Sequence, residues 1–599
     1  MHPSPQTGAV NAAPHPGDPA LRPARLQRAW QGAPGLLAVC LVGAAVSWVW
    51  TGHLLGQGNN VFHLPLLADL AAQPGMADDA FVQSLARFQS GLWVLLRGSD
   101  AVVPATLLLP LLLFATKALT LYALLLLAGE LGLRGRLQQL GFVAVMASTP
   151  LLRGTAYAGH GGLFIDYFSH SELATALTLL LWWACLRGRF GLALALNGAV
   201  FFLNGFMAVW NLAPWLWLAL RAWRADPAWL RRQLPGLLAG GAVVAALAGA
   251  VLWRAAGAGQ LSAATGGPDH RDFLRDYYPY HFLASEMPLA QWLGLAAVGL
   301  AAALALRALR ALRDGASGPA APMASAAGLL AQVGLAYGAV YAVGLVLPWL
   351  TASPLWLNLH LLRVSVFFHL LAALALGVWL LRAAQSPEPT DRLWRAPWLA
   401  VALLTVRPAL LALPLALALQ RLWPGLCRLP VARLRGVAAG VAALALIGGV
   451  AALVAERSSQ ARLQQSLADW AQVAKDVKQR TQPGDVVMLP LDTGRWQPAD
   501  AGSGAFQYHA QRPVWVDHKR GAAVFWQSDY WPQWQTRTAA LRPLTDWASR
   551  LRHAQAHGVA VVVDDCAGLP DLLPSALLAR AGRLCAVGAS ASVRLGGPQ

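Results

Sequence analysis

The sequence predicts a polytopic α-helical membrane protein of about 11–13 spans, followed by a C-terminal α/β domain. Of its 599 residues, 57% are hydrophobic and only 12% are charged, whereas soluble domains carry about 25% charged residues. Apolar runs such as 105–127 and 326–350 exceed the roughly 20 residues that cross a bilayer. After about Glu456, short strand-like runs alternate with helical ones, which is typical of an α/β domain.

The chain divides into three predicted parts. Residues 1–32 are rich in Pro, Ala and Gly without an apolar core, so we expect a disordered cytoplasmic tail rather than a cleaved signal peptide. A multipass transmembrane domain is expected over 33–455, and a periplasmic α/β domain over 456–599. The predicted spans are 33–54, 103–128, 139–152, 172–186, 190–206, 208–222, 234–254, 290–306, 324–350, 364–382, 396–406, 408–420 and 436–455. The shortest of these need protein or a water-filled cavity over their ends.

The net charge of +18 orients the chain in the membrane and requires no nucleic acid. With the N-terminus in the cytoplasm, roughly 20 basic residues fall on the inner side and roughly 8 in outer loops, as the positive-inside rule predicts. An odd number of spans then places everything after Ala455 outside. We therefore expect a protein of the bacterial inner (cytoplasmic) membrane, with lipid but no nucleic acid as a partner.

The outer loops collect the polar side chains. The first, Gly56–Asp100, holds several acids and ends in an amphipathic pattern over 81–95 that predicts a helix along the membrane surface. The second outer loop opens the stretch Gly159–Arg189 and holds His160, Asp166, His170 and Glu172. The third, Ala255–Ala290, includes Asp269, His270, Arg271, Asp272, Arg275, Asp276, Tyr280, His281 and Glu286. A fourth offers Asn358, His360 and Arg363, and Arg407 is expected at a similar depth. Facing one compartment, these loops can line one cavity.

This arrangement resembles the GT-C superfamily of membrane glycosyltransferases. The likeness spans nearly the whole chain and is carried by 58–81, 166–177, 187–205, 359–365, 469–492 and 506–519. It implies transfer of a sugar from a polyprenyl-phosphate donor to a glycan, lipid or protein acceptor on the periplasmic side, as a step in building the cell envelope. GT-C enzymes carry an acid soon after the first span, and Asn59 and Asn60 occupy that place here.

The expected chemistry assigns roles to individual residues. A carboxylate must accept the proton of the attacking hydroxyl, and the candidates for this catalytic role are Asp166, Asp78 and Asp79. Cations must face the leaving phosphate, for which we expect Arg363 together with Arg271 or Arg407. Further substrate-binding candidates are Asn59, Asn60, His63, His160, His270, Tyr280 and His281. The sequence contains no HExxH, CxxC or phosphate-binding glycine loop, so we expect no cofactor, and a divalent metal is not indicated.

Other interpretations remain open. Asp166 and Asp79 are equally suited to capping helix N-termini, and Arg363 to reaching lipid headgroups. Lys117, midway along a span, requires a polar partner inside the protein. A transporter or lipid flippase would suit Lys117 and the broken helices at 204–205 and 407–408. An inactive GT-C-like scaffold is the third alternative.

Two features of the tail carry further expectations. The aromatic stretch Phe525–Trp534 either stacks on sugar rings or docks onto the membrane domain. Cys566 and Cys585 lie in two predicted strands, with a helix expected near 571–581 between them. If the strands are neighbours, an oxidising periplasm predicts a disulfide.

Overall fold

The computed structural model describes residues 33–257, 269–314, 325–491, 503–569 and 576–590. The predicted disordered tail, 1–32, lies outside the described residues. The six segments of strand are β1 (Gly154–Thr155), β2 (Gly162–Leu163), β3 (Val487–Met488), β4 (Val561–Asp565), β5 (Leu577–Ala581) and β6 (Leu584–Gly588).

Helices make up most of the described chain. The α-helices are α1 (Ala33–Thr51), α2 (Asn60–Leu67), α3 (Ala80–Ser84), α4 (Gly91–Leu95), α5 (Ala105–Glu130), α6 (Arg136–Ser148), α7 (His170–Leu186), α8 (Phe190–Leu203), α9 (Gly205–Ala225), α10 (Trp229–Gly257), α11 (His270–Tyr277), α12 (Pro279–Phe282), α13 (Leu289–Asp314), α14 (Ala326–Leu350), α15 (Pro354–Leu357), α16 (Ser365–Ala384), α17 (Ala396–Leu404), α18 (Ala412–Leu422), α19 (Val431–Arg480), α20 (Ser503–Ala510), α21 (Trp531–Leu541) and α22 (Trp547–Ala556). Short 3₁₀ turns occupy Leu70–Ala72, Leu85–Arg87, Ser99–Ala101, Pro150–Leu152, Ala284–Glu286, Leu361–Val364, Arg407–Leu411, Pro424–Arg428, Lys519–Phe525 and Ser528–Tyr530, with a π-helical turn at Asp391–Arg395.

The chain is a helical membrane protein. In the described part, six helical stretches are long and apolar enough to cross a bilayer: α5, α10, 289–311 within α13, α14, 354–384 and α19. Shorter apolar helices lie at 35–51 and 190–203. Every predicted span coincides with a described helix. Most ends shift by a few residues, but α13 continues past 306 to Asp314 and α19 continues past 455 to Arg480. The breaks at 204–205 and near 407 are also present. At the first, Asn204 caps α9 by accepting the backbone N–H of Met207. At the second, a 3₁₀ turn over Arg407–Leu411 separates α17 from α18.

The predicted surface helix over 81–95 is wrong as a single element. The chain forms α3 and a 3₁₀ turn, becomes extended at Phe88 and Ser90, and starts again as α4. A Cβ at Gly91 would collide with the Phe202 ring of α8. Packing against α8 and the cavity therefore overrides the helical periodicity that the apolar residues display.

The tail folds around a four-stranded sheet with the order β3-β4-β6-β5. β3 and β4 are parallel, whereas β4–β6 and β6–β5 are antiparallel. Within 513–519 the chain supplies only an isolated bridge between Val487 and Val514. The tail helices α21 and α22 follow this segment.

The helix expected near 571–581 is wrong where the structure describes it. Residues 577–581 form β5, which pairs with β6 through a tight turn in which Gly582 has φ of 53°. Residues 570–575 lie outside the described residues. Helix-forming Leu, Ala and Arg favoured the wrong element because sheet pairing and burial override such weak propensities.

The predicted disulfide between Cys566 and Cys585 is confirmed. The sulfur atoms are 2.09 Å apart and the Cα atoms 5.1 Å apart. β4 and β6 are neighbours, with Asp564 opposite Cys585, so the two cysteines meet at the end of this strand pair. Cys40 and Cys185 are free and buried.

Candidate functional site

A cavity of about 1010 Å³ lies where the outer loops meet the tail. Its polar wall comes from the second, third and fourth outer loops. The charged and histidine side chains along it are His160, His170, Glu172, Arg275, Asp276, His281, His360, Arg363, His518, Lys519 and Arg542. The sequence prediction that the outer loops share one cavity therefore agrees with the structure for all four loops, the first of which contributes Gly58, Asn59, Phe62, Phe88 and Gln89.

Another part of the lining is apolar and comes from helices of the membrane domain. It consists of Phe201 of α8, Phe206 and Trp210 at the start of α9, and Val251 and Leu252 near the end of α10. Such a cavity combines a hydrocarbon-like surface with charged groups. That combination matches a ligand with an apolar chain and an anionic head.

The tail closes the cavity with His518, Lys519 and the aromatic pair Phe525 and Trp526. Trp526 is anchored because its indole N–H donates to Ser84 Oγ at 3.1 Å. The rest of the aromatic stretch is used for docking: Trp531 and Trp534 are buried and pack edge-on against Phe273 of α11. The structure therefore shows this stretch docked onto the membrane domain, and stacking on sugar rings stays a prediction.

Five of the predicted site residues line the cavity: Asn59, His160, Tyr280, His281 and Arg363. The rings of His160 and Tyr280 stack with centroids 5.6 Å apart, and those of His281 and Tyr278 stack at 4.2 Å. Burial, followed by the charge of Arg363, lowers the pKa of both His160 and His281. These two rings are therefore neutral near pH 7 and act as stacking surfaces or neutral hydrogen-bonding groups.

Arg363 and Asp276 are two groups of the cavity lining that could still take an ionic partner. Among the described residues, neither side chain forms a hydrogen bond or ion pair, and Nε of Arg363 is buried without an acceptor. A buried N–H of a guanidinium that lacks an acceptor is costly, and an incoming anion would satisfy it. Asp276 is exposed at the cavity surface, where its carboxylate is available as a proton acceptor.

Sequence reasoning gave no site role to His170 and Glu172, although both stood in the second outer loop. Trp93 Nε1 donates to His170 Nδ1 at 3.0 Å, so a neutral His170 carries its proton on Nε2. Glu172 accepts the Ile165 N–H through Oε1 at 2.8 Å, while its Oε2 is buried without a partner. Lys519 was missed entirely because nothing in the sequence places the tail over the loops.

Asp166, the first catalytic candidate, does not line this cavity. Its backbone carbonyl accepts the Leu54 N–H at 2.7 Å, and its carboxylate feels the charges of Lys117 and Glu456. Burial raises the pKa of this carboxyl to about 6, with the nearby Lys117 opposing the shift. A catalytic role for Asp166 stays a prediction, and the geometry shows no direct access to the cavity.

Asp78 and Asp79 also lie away from the cavity. Asp79 caps α3 by accepting the Val82 N–H at 3.0 Å, as the alternative interpretation expected. Its other oxygen accepts from Gln507 at 2.7 Å and pairs with Arg520 at 3.5 Å. Asp79 therefore joins the first loop to the tail, whereas its neighbour Asp78 is exposed to solvent.

Asn60 and His63 are buried beside the cavity rather than in it. Asn60 Oδ1 accepts the Gly56 N–H at 3.0 Å. The His63 ring stacks on Trp93 with centroids 3.8 Å apart, and neither of its nitrogens has a partner among the described residues. Burial holds the pKa of His63 well below its usual value, so this ring packs as a neutral aromatic group.

The three remaining candidates are engaged in structural contacts outside the cavity. His270 Nε2 is 2.7 Å from Asn358 Oδ1, and Arg271 pairs with Asp269. Arg407 donates to the backbone carbonyls of residues 150, 153 and 155, and so holds the chain that leads into the second outer loop.

No metal centre is present in the described ranges, since nowhere in them do three or more His, Cys, Asp or Glu side chains cluster in a way that would hold an ion. Comparisons with protein-family models and with curated proteins find no match for the chain.

Proposed function

We propose that the protein is an integral-membrane glycosyltransferase that moves a sugar from a polyprenyl-phosphate donor to a periplasmic acceptor. One observation carries the proposal: a single cavity combines an unpaired guanidinium, an unpaired carboxylate and an apolar wall of membrane helices. A polyprenyl-phosphate sugar presents the matching groups, namely a hydrocarbon chain, a phosphate and a sugar ring.

The chemistry follows from these groups. The acceptor hydroxyl oxygen forms a bond to the anomeric carbon, and the bond from that carbon to the phosphate oxygen breaks. Asp276 accepts the hydroxyl proton, and the electron pair leaves on the phosphate oxygen, where Arg363 and Lys519 stabilise the developing charge. His170, through its Nε2–H, is a neutral donor in the same cavity, and the stacked His160 and Tyr280 rings offer a surface for the sugar.

The proposed location is the bacterial inner membrane, with the tail as a periplasmic α/β domain. The Cys566–Cys585 disulfide supports this side, because such bonds persist in oxidising compartments and are rare in the cytosol. The orientation is tested by introducing a cysteine on the surface of the tail and treating it with a membrane-impermeant thiol reagent. If this cysteine reacts only after the inner membrane has been permeabilised, the proposed orientation is contradicted.

The test of function is mass spectrometry of surface glycans and polyprenyl-linked sugars in a deletion strain, complemented with single variants. We expect loss of one glycan in the deletion strain and accumulation of its lipid-linked donor. Asp276→Asn should fail to restore the glycan, since removing a general base costs about 10²–10⁴-fold in rate.

Asp272→Asn is the matched control for Asp276→Asn. Asp272 lies four positions earlier on the same short helix and is exposed, but it pairs with Arg275 at 2.8 Å and does not line the cavity. The Asp272→Asn variant should restore the glycan fully. Asp166→Asn separates the two assignments of the base: full restoration by Asp166→Asn with failure of Asp276→Asn supports the cavity carboxylate, and the reverse result supports Asp166.

The second candidate function is that of a lipid flippase. It is favoured by the break between α8 and α9, because Asn204 and Gly205 at this break line the cavity. An unchanged glycan and lipid-linked sugar composition together with a lost flux of lipid or solute would support it. Full complementation by Asp276→Asn and Arg363→Gln would instead favour an inactive GT-C-like scaffold.

A further inference from the structure

The second outer loop has an energetically unfavourable backbone where it borders the cavity. Ala158, His160 and Phe164 have φ of 48°, 53° and 40°, a left-handed region that residues with a Cβ avoid. His160 is one of the cavity rings, and Gly161, Gly162 and Ile165 continue the same wall. A loop with this backbone keeps its shape only if its surroundings impose it.

Side chains from distant helices supply that constraint by bonding to the loop backbone. The Ala158 N–H donates to Gln291 Oε1 at 3.0 Å, and Tyr341 donates to the Ala158 carbonyl at 2.8 Å. The Tyr157 N–H donates to His369 Nε2 at 3.1 Å. Helices α13, α14 and α16 therefore each hold the first half of the loop.

The second half is held at one residue, Ile165, through both of its backbone polar groups. Lys117 Nζ, inside α5, donates to the Ile165 carbonyl at 3.0 Å, and the Ile165 N–H donates to Glu172 Oε1 at 2.8 Å. Lys117 also donates to Thr51 Oγ1 at 3.1 Å and lies 5.1 Å from the centre of the Phe164 ring. Both polar groups of a cavity-wall residue are thus fixed by ionisable side chains of membrane helices.

We propose that Lys117 is a positioning residue that holds the Ile165 peptide from within the membrane and so sets the shape of the cavity wall. This inference deepens the proposed function and depends on it only where a transfer rate is measured. The shape of the wall is a property of the protein alone.

The position explains why a charged side chain is present at this depth. Lys117 is fully buried in α5, and a charge there is expensive unless it faces the protein interior with partners. The carboxylates of Glu172 and Asp166 supply the opposite charge. Lys117, Glu172 and Asp166 thus form a polar cluster next to the cavity. This cluster accounts for the charge of Lys117 without a role in transport.

Hydrogen–deuterium exchange of the full chain in detergent tests the inference. In Lys117→Met, amides of 158–165 should exchange at least about tenfold faster, while those of β4 and β6 stay unchanged, because loss of the bond frees one wall of the cavity only. Thr51→Val, which removes the other acceptor of Lys117 but leaves Ile165 bound, should change exchange in 158–165 by less than about twofold. Unchanged exchange in Lys117→Met, or an equal increase in β4 and β6, overturns the proposal.

Ala158→Gly is a further variant that keeps the test decisive. It relieves the left-handed strain, so in the Lys117→Met background it should restore part of the protection from exchange.

Lys117→Gln is the substitute if Lys117→Met gives no folded protein, because Gln retains an N–H donor without the charge. If Lys117→Gln exchanges 158–165 at the wild-type rate, a hydrogen bond to Ile165 is enough and the charge is not needed. If exchange is faster in this loop alone, the bond to Ile165 requires the charge of Lys117. Faster exchange throughout the chain contradicts both.

The kinetic test uses a short-chain polyprenyl-phosphate sugar as the probe. A wall that has moved should raise the KM for this donor several-fold at nearly constant kcat, whereas a merely structural defect lowers the active fraction and leaves KM unchanged. A wild-type protein that shows no transfer contradicts the proposed function, and the exchange result then still decides the role of Lys117.

Discussion

The first and third outer loops are both rich in acids, yet their carboxylates serve different purposes. In the first loop, Asp79 bonds to Gln507 and Arg520, and Asp100 accepts from Tyr508 at 2.9 Å. In the third loop, Asp269 and Asp272 pair with neighbouring arginines, and Asp276 remains unpaired in the cavity. Asp79 and Asp100 of the first loop thus attach the tail to the membrane domain, whereas Asp276 of the third loop lies exposed at the cavity.

The difference shows that partners, and not residue type, decide the role of an acid. Gln507 is 428 positions from Asp79 in the chain, and Arg520 is 441. No local pattern around Asp78-Asp79 indicates either contact. Variants that remove a carboxylate bonded to the tail, next to variants of exposed carboxylates, therefore test this difference between the acids.

The largest stability effect is expected at Asp79. Asp79→Ala leaves Arg520, which is 3% exposed, without its carboxylate in a buried site, a change that costs about 3–5 kcal/mol. We expect a markedly lower melting midpoint and faster protease cleavage between membrane domain and tail. Asp78→Ala, next to it but exposed, should lie within about 0.5 kcal/mol of wild type; equal effects of the two variants would contradict the distinction.

Removal of the Cys566–Cys585 bridge should have the next largest effect. The loop that it closes has a sequence separation of 19, for which chain entropy predicts roughly 3 kcal/mol of stabilisation. The double variant Cys566→Ala/Cys585→Ala should destabilise the tail by an amount of this order and leave the exchange of α16 unchanged. Thiol labelling that modifies both cysteines fully without reductant would show that the bridge is not formed.

Asp166→Asn should produce a smaller, pH-dependent gain in stability. The pKa of Asp166 is raised to about 6, above the value of about 3.9 for an unfolded chain. The folded protein therefore holds more protons between these values, and its stability falls as pH rises through that window. The melting midpoint of Asp166→Asn should exceed that of wild type at pH 7.5, with a smaller gain at pH 4.5. A gain independent of pH would point to packing instead of ionisation.

The smallest effect is expected at the exposed ion pair of the first loop. Asp69 and Arg97 bond at 2.8 Å, but their side chains are 35% and 38% exposed. A double-mutant cycle with Asp69→Asn and Arg97→Gln should give a coupling energy of about 0–1 kcal/mol. A coupling as large as the effect of Asp79→Ala would mean that burial does not distinguish the two pairs.

The sequence predicted the helices well because each one requires a local apolar run, and such runs are visible in α5, α14 and α16 without tertiary information. It also predicted the meeting of Cys566 and Cys585, since adjacent strands place them together. It failed where tertiary contacts override local preference, as in the interrupted helix over 81–95 and in β5.

The candidate site was predictable only in part. Arg363, His160 and Tyr280 were identifiable because polar residues in loops between apolar spans face the same compartment, and they line the cavity. The sequence did not reveal that Asp276 would be unpaired while Asp272 is bonded, since both lie in one stretch of alternating charge. Nor did it reveal Lys519, because the docking of the tail is fixed by contacts such as Tyr277 OH to the Lys519 carbonyl at 3.1 Å, across 242 positions.

Helix α19 has a consequence for how the chain tolerates changes in length. Its 50 residues make it about 75 Å long, and each added residue turns everything beyond it by about 100°. Trp470, Val473 and Val477 on its far end form part of the tail core. One residue inserted after Ala455 would thus rotate the tail, together with this end of the helix, relative to the first loop. Seven inserted residues would nearly restore the original orientation of the tail but move it about 10 Å along the helix axis. The cavity would then lose the tail residues Lys519 and Phe525 from its lining, although no residue that lines it had been substituted.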